Sequence, residues 1–243
     1  MSDLAKSRRL KDIHKGATFL VAGCAPSLGD IDLYLPPEII TIGPNRILNH
    51  PYFVPNYVML CDRLPYSIDY KMGIYHQHVG SVTYLASTTL WDPGIKCRGF
   101  PVVPKPDFPF YPWRVGAMST KINLSTFEEM LCSFGTIAGP MIQAAIIMGA
   151  KKIGVVGVDL EAPKSGNCHF YKDGVGEERV ISRGDLSDDK ISIAPNGSAE
   201  KFSKLKHLTD SAGITITNLS PVTDSPFASI FPARNFEKWV ENA

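Results

Sequence analysis

Short apolar runs, each closed by small or turn-forming residues, recur along the chain and set its expected architecture. The first lies in 18–28 (TFLVAGCAPSL). Phe19, Leu20, Val21 and Ala22 end at Gly23, and Cys24-Ala25-Pro26-Ser27 follows as a tight segment. This reads as a buried strand running into a small-residue turn. Residues 31–35 read as a short helix stopped by Pro36-Pro37. Residues 38–42 (EIITI) and 57–61 (YVMLC) read as the second and third strands, closed by Gly43-Pro44-Asn45 and Asp62-Arg63. The alternation in 81–86 (SVTYLA) predicts a fourth. The proline-rich stretch 91–114 is expected to be an irregular, lid-like excursion, packed by its aromatics onto its own protein.

A second pattern fills 134–160 (FGTIAGPMIQAAIIMGAKKIGVVGVDL). Residues 135–139 form a small-residue turn, Pro140 suits the first turn of a helix, and 141–148 is apolar nearly all round, as in a helix buried against a sheet. Gly149 ends it, Lys151 and Lys152 suit its negative end, and 153–158 reads as a core strand with Asp159 at its carboxyl end. Residues 161–199 turn polar and weakly periodic, with Cys168-His169-Phe170-Tyr171 and the acidic run 185–189 among them. Such a stretch reads as a mobile loop or lid. Ser198 is placed to cap a last helix over 199–212, Gly213 ends it, 214–217 reads as a last strand, and 235–241 as a short amphipathic tail. The sum predicts one α/β domain over 1–243: Rossmann-like, with a mainly parallel sheet flanked by helices and a long loop over the site.

Bulk properties narrow the function. The chain has 243 residues and a formal net charge of +1, so nothing favours non-specific nucleic-acid binding. Cys24, Cys61, Cys97, Cys132 and Cys168 are scattered without a CxxC pair, which disfavours a zinc site and suits a reducing, cytoplasmic setting. The basic N-terminus, MSDLAKSRRLKDIHKG, lacks the apolar core of a signal peptide, and no stretch is long enough to span a bilayer. Peripheral contact with an anionic membrane is open to its basic residues, but a frayed terminal helix is the simpler reading.

The candidate chemistry sits at strand ends. Ligands of open α/β sheets bind beyond the carboxyl ends of the strands, where small residues admit a phosphate to backbone N–H groups. The Gly23-x-x-Pro26-Ser27 turn is neither a GxGxxG fingerprint nor a P-loop. Ser27, Asn45 and Asp62 each follow an apolar run, a repetition that favours a nucleotide site over three local roles as cap, turn and partner of Arg63. The turn at Thr136 and the helix start behind it form a second candidate for phosphate or carboxylate. His169 is the best candidate base and Tyr171 a candidate donor to a leaving phosphate, against the plain reading of exposed loop residues. His14 and His207 are expected on exposed helices, while His76 and His78 flank Gln77 and form at most a weak metal pair. Asp62 and Asp159, read as standing at neighbouring strand ends, are candidate magnesium ligands for phosphoryl transfer.

Taken together, these motifs resemble two related families. AGCAPSL (22–28) is similar to the AGxGPSL turn of the bacterial lipo-oligosaccharide sialyltransferases (glycosyltransferase family 42) and of the archaeal 6-hydroxymethylpterin diphosphokinase-like proteins, the DUF115 group. Their later small-residue turn, alanine-rich helix, Gly-x-x-x-Ile and Gly-x-Asp resemble Thr136-Ile-Ala-Gly139, the helix at Ala144, Gly149 to Ile153 and Gly157-Val-Asp159; NLSP near the end is similar too. The sialyltransferase resemblance implies a metal-independent transferase that uses a CMP-sugar and a glycan acceptor. Gly23, Cys24, Ser27 and Asn45 would then bind the nucleotide, and the 136–139 turn, from Thr136 to Gly139, would meet the sugar carboxylate or cytidine. The chain departs from that family where Cys24 and Ala25 replace asparagine and glycine, and 191–199 holds no histidine, leaving His169 as the base. The diphosphokinase resemblance implies magnesium and ATP held at Asp62 and Asp159. A third reading is a non-catalytic nucleotide or sugar-phosphate binder, and a homo-oligomer is open in each case.

Overall fold

The structure, a computed structural model, describes residues 3–94, 102–116, 121–163, 169–171, 190–192 and 197–243. In chain order the strands are β1 (Thr18–Ala22), β2 (Ile40–Pro44), β3 (Tyr57–Leu60), β4 (Thr83–Ser87), β5 (Phe110–Trp113), β6 (Val115–Gly116), β7 (Leu131–Cys132), β8 (Lys152–Val156), β9 (Glu161–Pro163), β10 (Lys190–Ser192) and β11 (Thr215–Asn218). The α-helices are α1 (Arg63–Lys71), α2 (Ile74–Gln77), α3 (Ala138–Ile147), α4 (Ser198–Ser211), α5 (Pro226–Ile230) and α6 (Phe236–Glu241). Short 3₁₀ turns cover Asp3–Leu10, Pro26–Asp30, Asn45–Asn49 and Thr88–Leu90.

Seven strands form one sheet in the order β11-β8-β1-β2-β3-β4-β5, every pairing parallel. Both faces are covered, so the strands read as continuous apolar runs rather than as half-polar ones. Phe19, Val21, Ile153 and Val155 face the layer of α3, α4 and α5, whereas Leu20, Ala22, Val58 and Leu60 face the layer that holds Tyr66 of α1, Tyr75 of α2 and Phe236 of α6. Every residue of α3 is buried. Its one long polar side chain, Gln143, is satisfied: Oε1 accepts from the backbone N–H groups of Asn123 and Cys132, and Nε2 donates to the Cys132 and Gly139 carbonyls.

The predicted α/β, Rossmann-like sheet is therefore present, with differences at its margins. Phe110–Trp113, expected to be irregular, is the edge strand β5 paired with β4. An edge strand tolerates proline because only one side of it must bond. The Pro112 carbonyl points away from β4 and accepts from the buried Ser7 hydroxyl, while the Trp113 indole N–H donates to the Leu85 carbonyl. The N-terminus is not frayed: its 3₁₀ turn docks along β5 with Leu10 buried. Residues 31–35 are not helical, because the helical turn comes earlier, at Pro26–Asp30, with Pro26 in its first position. Ser198 does not cap α4; Gly197 precedes the helix with φ +87°, and the Ser198 hydroxyl donates to the Phe134 carbonyl. The ends of the polar stretch 161–199 pair as an antiparallel ribbon, with Glu161 opposite Ser192. The rest of that expected lid, with the acidic run 185–189, lies mostly outside the described residues, as do Cys97 and Cys168.

Candidate functional site

Strand order reverses at β1, which has β2 to β5 on one side and β8 and β11 on the other. In a doubly wound sheet the crevice at such a point, outside the carboxyl ends, is where ligands bind. Here β1 and β8 continue side by side past their ends: the Gly23 N–H donates to the Val156 carbonyl at 2.8 Å and the Ala25 N–H to the Gly157 carbonyl at 3.0 Å. A Cβ on Gly23 would lie 2.0 Å from the Gly157 oxygen, and Gly157 has φ +62°. Neither position accepts a side chain, so the backbone stays bare at the crevice floor.

A buried polar cluster stands beside this floor. Ser27, Asp159 and Ser220 are 3%, 4% and 2% exposed. The Ser220 hydroxyl donates to the Asp159 carboxylate at 2.7 Å and lies 3.3 Å from the Ser27 hydroxyl. Burial pushes the Asp159 carboxyl above its ordinary range; bonds from Ser27 and Ser220 oppose that shift, and the Glu161 and Asp30 carboxylates add to it. The next residue, Leu160, has φ +66°, a strained conformation for a side chain branched at Cγ. Such outliers cluster where the surrounding structure holds a functional geometry in place.

The segment 169–171 packs over the same edge. The Phe170 N–H donates to the Cys24 carbonyl at 3.1 Å, and the Phe170 and His50 rings meet at 5.3 Å. The His169 and Tyr171 rings stack at 4.7 Å with 5° between planes, and the Arg46 guanidinium lies 4.8 Å from the Tyr171 ring centre. Burial pushes the Cys24 thiol well above its usual range.

The structure thus brings together Gly23, Cys24, Ser27, Asp159, His169 and Tyr171. Asn45 lies one strand further on and braces the edge, its side-chain oxygen accepting from the Cys61 N–H at 3.0 Å. Thr136 accepts from the Ala138 N–H at the start of α3, and a Cβ on Gly139 would meet the Phe134 ring at 2.5 Å, so Gly139 serves helix packing. Asp62 is exposed and does not cap α1, and Arg63 does not turn back to it; that arginine is buried and donates to the Thr89, Leu90 and Asp92 carbonyls. Asp62 and Asp159 do not follow adjacent strands, as the sequence suggested. Strands β1 and β2 lie between β3 and β8, a separation of about 14 Å at the usual strand spacing. One magnesium ion cannot be shared by carboxylates so placed, and the residues do not fit that group. Among the described residues no three His, Cys, Asp or Glu side chains gather as metal ligands. His76 bonds Asp107 at 2.8 Å, and His14, expected to be exposed, is half-buried and bonds the Tyr57 hydroxyl at 2.7 Å.

Sequence reading missed Ser220, Arg46 and Asp69. Ser220 carried a signal, since it lies in the NLSP motif just after β11; Arg46 stood inside an apolar turn, Arg46-Ile47-Leu48, where a charge needs a partner.

No protein-family model matches the chain, and no curated protein sequence matches it. Among solved structures it is similar to the monofunctional alpha-2,3-sialyltransferase Cst-I from Campylobacter jejuni, with a TM-score of 0.50 and 18% identity over 90% of this chain and 80% of that one. The chain has a sialyltransferase-like fold. At this identity the likeness concerns the path of the chain rather than its chemistry. No helix among the described residues is long and apolar enough to cross a membrane.

Proposed function

We propose that the protein is a glycosyltransferase-like enzyme that uses a nucleotide-activated sugar, a CMP-sugar, and a glycan acceptor. The observation that carries this reading is the meeting at one switch point of a bare backbone floor, a buried Ser27–Asp159–Ser220 cluster and the stacked His169–Tyr171 pair, whose intervening Phe170 bonds the Cys24 carbonyl. The likeness in fold to a sialyltransferase supports it. Gly23, Cys24 and Ser27 receive the nucleotide, Asp159 accepts from its ribose hydroxyls, and the turn at Thr136 meets the cytidine or the sugar carboxylate. The acceptor oxygen attacks the anomeric carbon, and a new C–O bond forms as the bond to phosphate oxygen breaks. The hydroxyl proton passes to His169, and the electron pair of the broken bond leaves on CMP. Tyr171 donates a hydrogen bond to that phosphate as its charge develops. The configuration inverts.

The test is a thermal-shift screen of CMP, CDP, UDP, GDP, ATP and AMP, each with and without magnesium. A ligand at a hundred times its Kd stabilises the folded state by about 2.7 kcal/mol, a rise of about 5–10 °C for a domain of this size. CMP or CDP is expected to give that rise without metal, and Ser27→Trp, which fills the buried turn, is expected to remove it. A rise only with ATP or AMP and magnesium would replace this reading with diphosphoryl transfer. Binding of CMP without turnover of any CMP-sugar would leave a non-catalytic binder.

A further inference from the structure

The amino-terminal end of the sheet carries polar groups that the proposed reaction does not use. A depression of about 200 Å³ opens there, lined by His14, Ile40, Asn56, Tyr57, Ser81 and Thr83. Its base follows from the strand register. Tyr57 of β3 lies opposite Ile42 of β2 and Thr83 of β4. Side chains alternate along a strand, so Ile40, Tyr57 and Thr83 project from one face. On that face α3 packs over β1 and β2, and the amino-terminal turn docks along β5. The chain then runs back to the end of α3, where the Asp12 and His14 N–H groups donate to the Ile147 and Met148 carbonyls at 3.0 and 2.9 Å. His14 is thereby held at the start of β3, with its Nε2 bonded to the Tyr57 hydroxyl.

The lining is polar, ordered and without charge. Asn56 Oδ1 accepts from the Thr41 N–H and hydroxyl, each at 2.8 Å, which fixes the carboxamide. Its two Nδ2 hydrogens have no acceptor among the described residues. Thr83 donates its N–H to the Asn56 carbonyl, and its hydroxyl has no partner among the described residues. The Ser81 hydroxyl donates to the His78 carbonyl at 3.0 Å and keeps its acceptor capacity. No Asp, Glu, Lys or Arg lines the depression. Burial pushes His14 below its ordinary value of 6.5, so its ring is neutral at neutral pH. An ion would lose water here and meet no countercharge. A sugar loses least, because its hydroxyls both donate and accept while its C–H face covers Ile40. The volume is that of about seven waters, room for one sugar ring. We infer that this depression is a second ligand site, for a neutral monosaccharide. It lies a strand's length from the switch point and goes beyond the proposed transfer.

The test titrates the isotope-labelled whole chain with D-glucose, D-galactose and glucose 6-phosphate, read by the NMR shifts of its amides. At least one hexose gives saturable shifts at Asn56, Tyr57, Ser81 and Thr83, with a Kd of about 1–10 mM for so small and open a site. Glucose 6-phosphate binds no more tightly than glucose, since no cation meets its phosphate. Thr83→Val keeps the branched shape that suits a strand and removes one hydrogen bond, so the Kd rises about fivefold while the melting temperature stays within about 2 °C. Ser81→Tyr, at an exposed position, fills the mouth and abolishes the shifts. Absent or unsaturable shifts with both hexoses overturn the inference, as does tighter binding of the phosphate ester. A Kd unchanged in both variants overturns it too. Shifts at Gly23 to Ser27 in place of the amino-terminal end would assign the sugar to the switch point instead. The titration uses no nucleotide, so its outcome stands apart from the nucleotide screen.

Discussion

The sheet has a histidine–tyrosine pair at each edge, and the two pairs are built differently. At the amino-terminal edge His14 Nε2 bonds the Tyr57 hydroxyl at 2.7 Å, their rings crossing at 79°. The pair borders a depression of about 200 Å³ lined also by Ile40, Asn56, Ser81 and Thr83. At the carboxyl-terminal edge His169 and Tyr171 stack at 5°. Hydrogen bonds of aromatic side chains lie near the ring plane, so crossed rings can spend their polar atoms on each other and stacked rings cannot. The lower pair closes a polar contact within the fold. The stacked pair, which cannot close on itself in that way, lies beside the floor through the bond of the intervening Phe170 N–H to the Cys24 carbonyl. The same two residue types thus make a brace in one place and a candidate acid–base pair in the other.

Exchanging each histidine for alanine breaks the comparison most sharply. His169→Ala is expected to lower CMP-sugar turnover by about 10²–10⁴, the usual contribution of a positioned base, with the CMP-induced thermal shift retained. His14→Ala is expected to leave kcat within about twofold while lowering the melting temperature. Equal rates for the two variants would remove His169 from the mechanism. A smaller effect is expected from Gly23→Ala. Its Cβ would fall 2.0 Å from the Gly157 oxygen, so β1 and β8 must separate at a loss of about 3 kcal/mol. The urea midpoint reports this, and an unchanged midpoint would show that the floor is looser than its contacts imply.

The smallest effect is one of sign. Asp159 holds its proton more tightly when folded than its ordinary value of 3.8 allows. Its contribution to stability is full in acid and is lost as pH rises through the raised folded value. Burial pushes His14 below its ordinary value of 6.5. Its contribution is full above that value and is lost as pH falls through the lowered one. The two edges therefore pull stability in opposite directions along the pH axis. Melting temperatures taken from about pH 4 to about pH 8 should show it: Asp159→Asn removes the decline on rising pH, and His14→Phe removes the decline on falling pH. Parallel profiles in both variants would contradict the assignment.

How far the sequence speaks depends on whether a feature is local. Strands β1, β3 and β8 and helix α3 were legible because each is an apolar run with its own stop, and Gly23, Ser27 and Asp159 were legible because they stand where those runs end. Strand β5 was hidden because Pro112 argues against a strand unless one knows that it is at an edge. The amino-terminal docking was hidden because Ser7 finds its partner in Pro112, far along the chain. The same holds for the site. Arg46 with Asp69, and Ser27 with Ser220, are pairings made only by the packed fold, and no spacing along the chain announces them. Asp62 showed the opposite failure: a strand-end position placed it in the expected row, yet the order of the strands set it apart from Asp159.

The ribbon of β9 and β10 has a further consequence. Because Glu161 lies opposite Ser192, the chain between them is closed at its base by a ribbon separate from the seven-stranded sheet. The cost of closing such an excursion rises only with the logarithm of its length, by about 0.6 kcal/mol for each doubling. A change in the number of residues between those two strands therefore costs the seven-stranded sheet little, provided that 169–171 keeps its bond to Cys24.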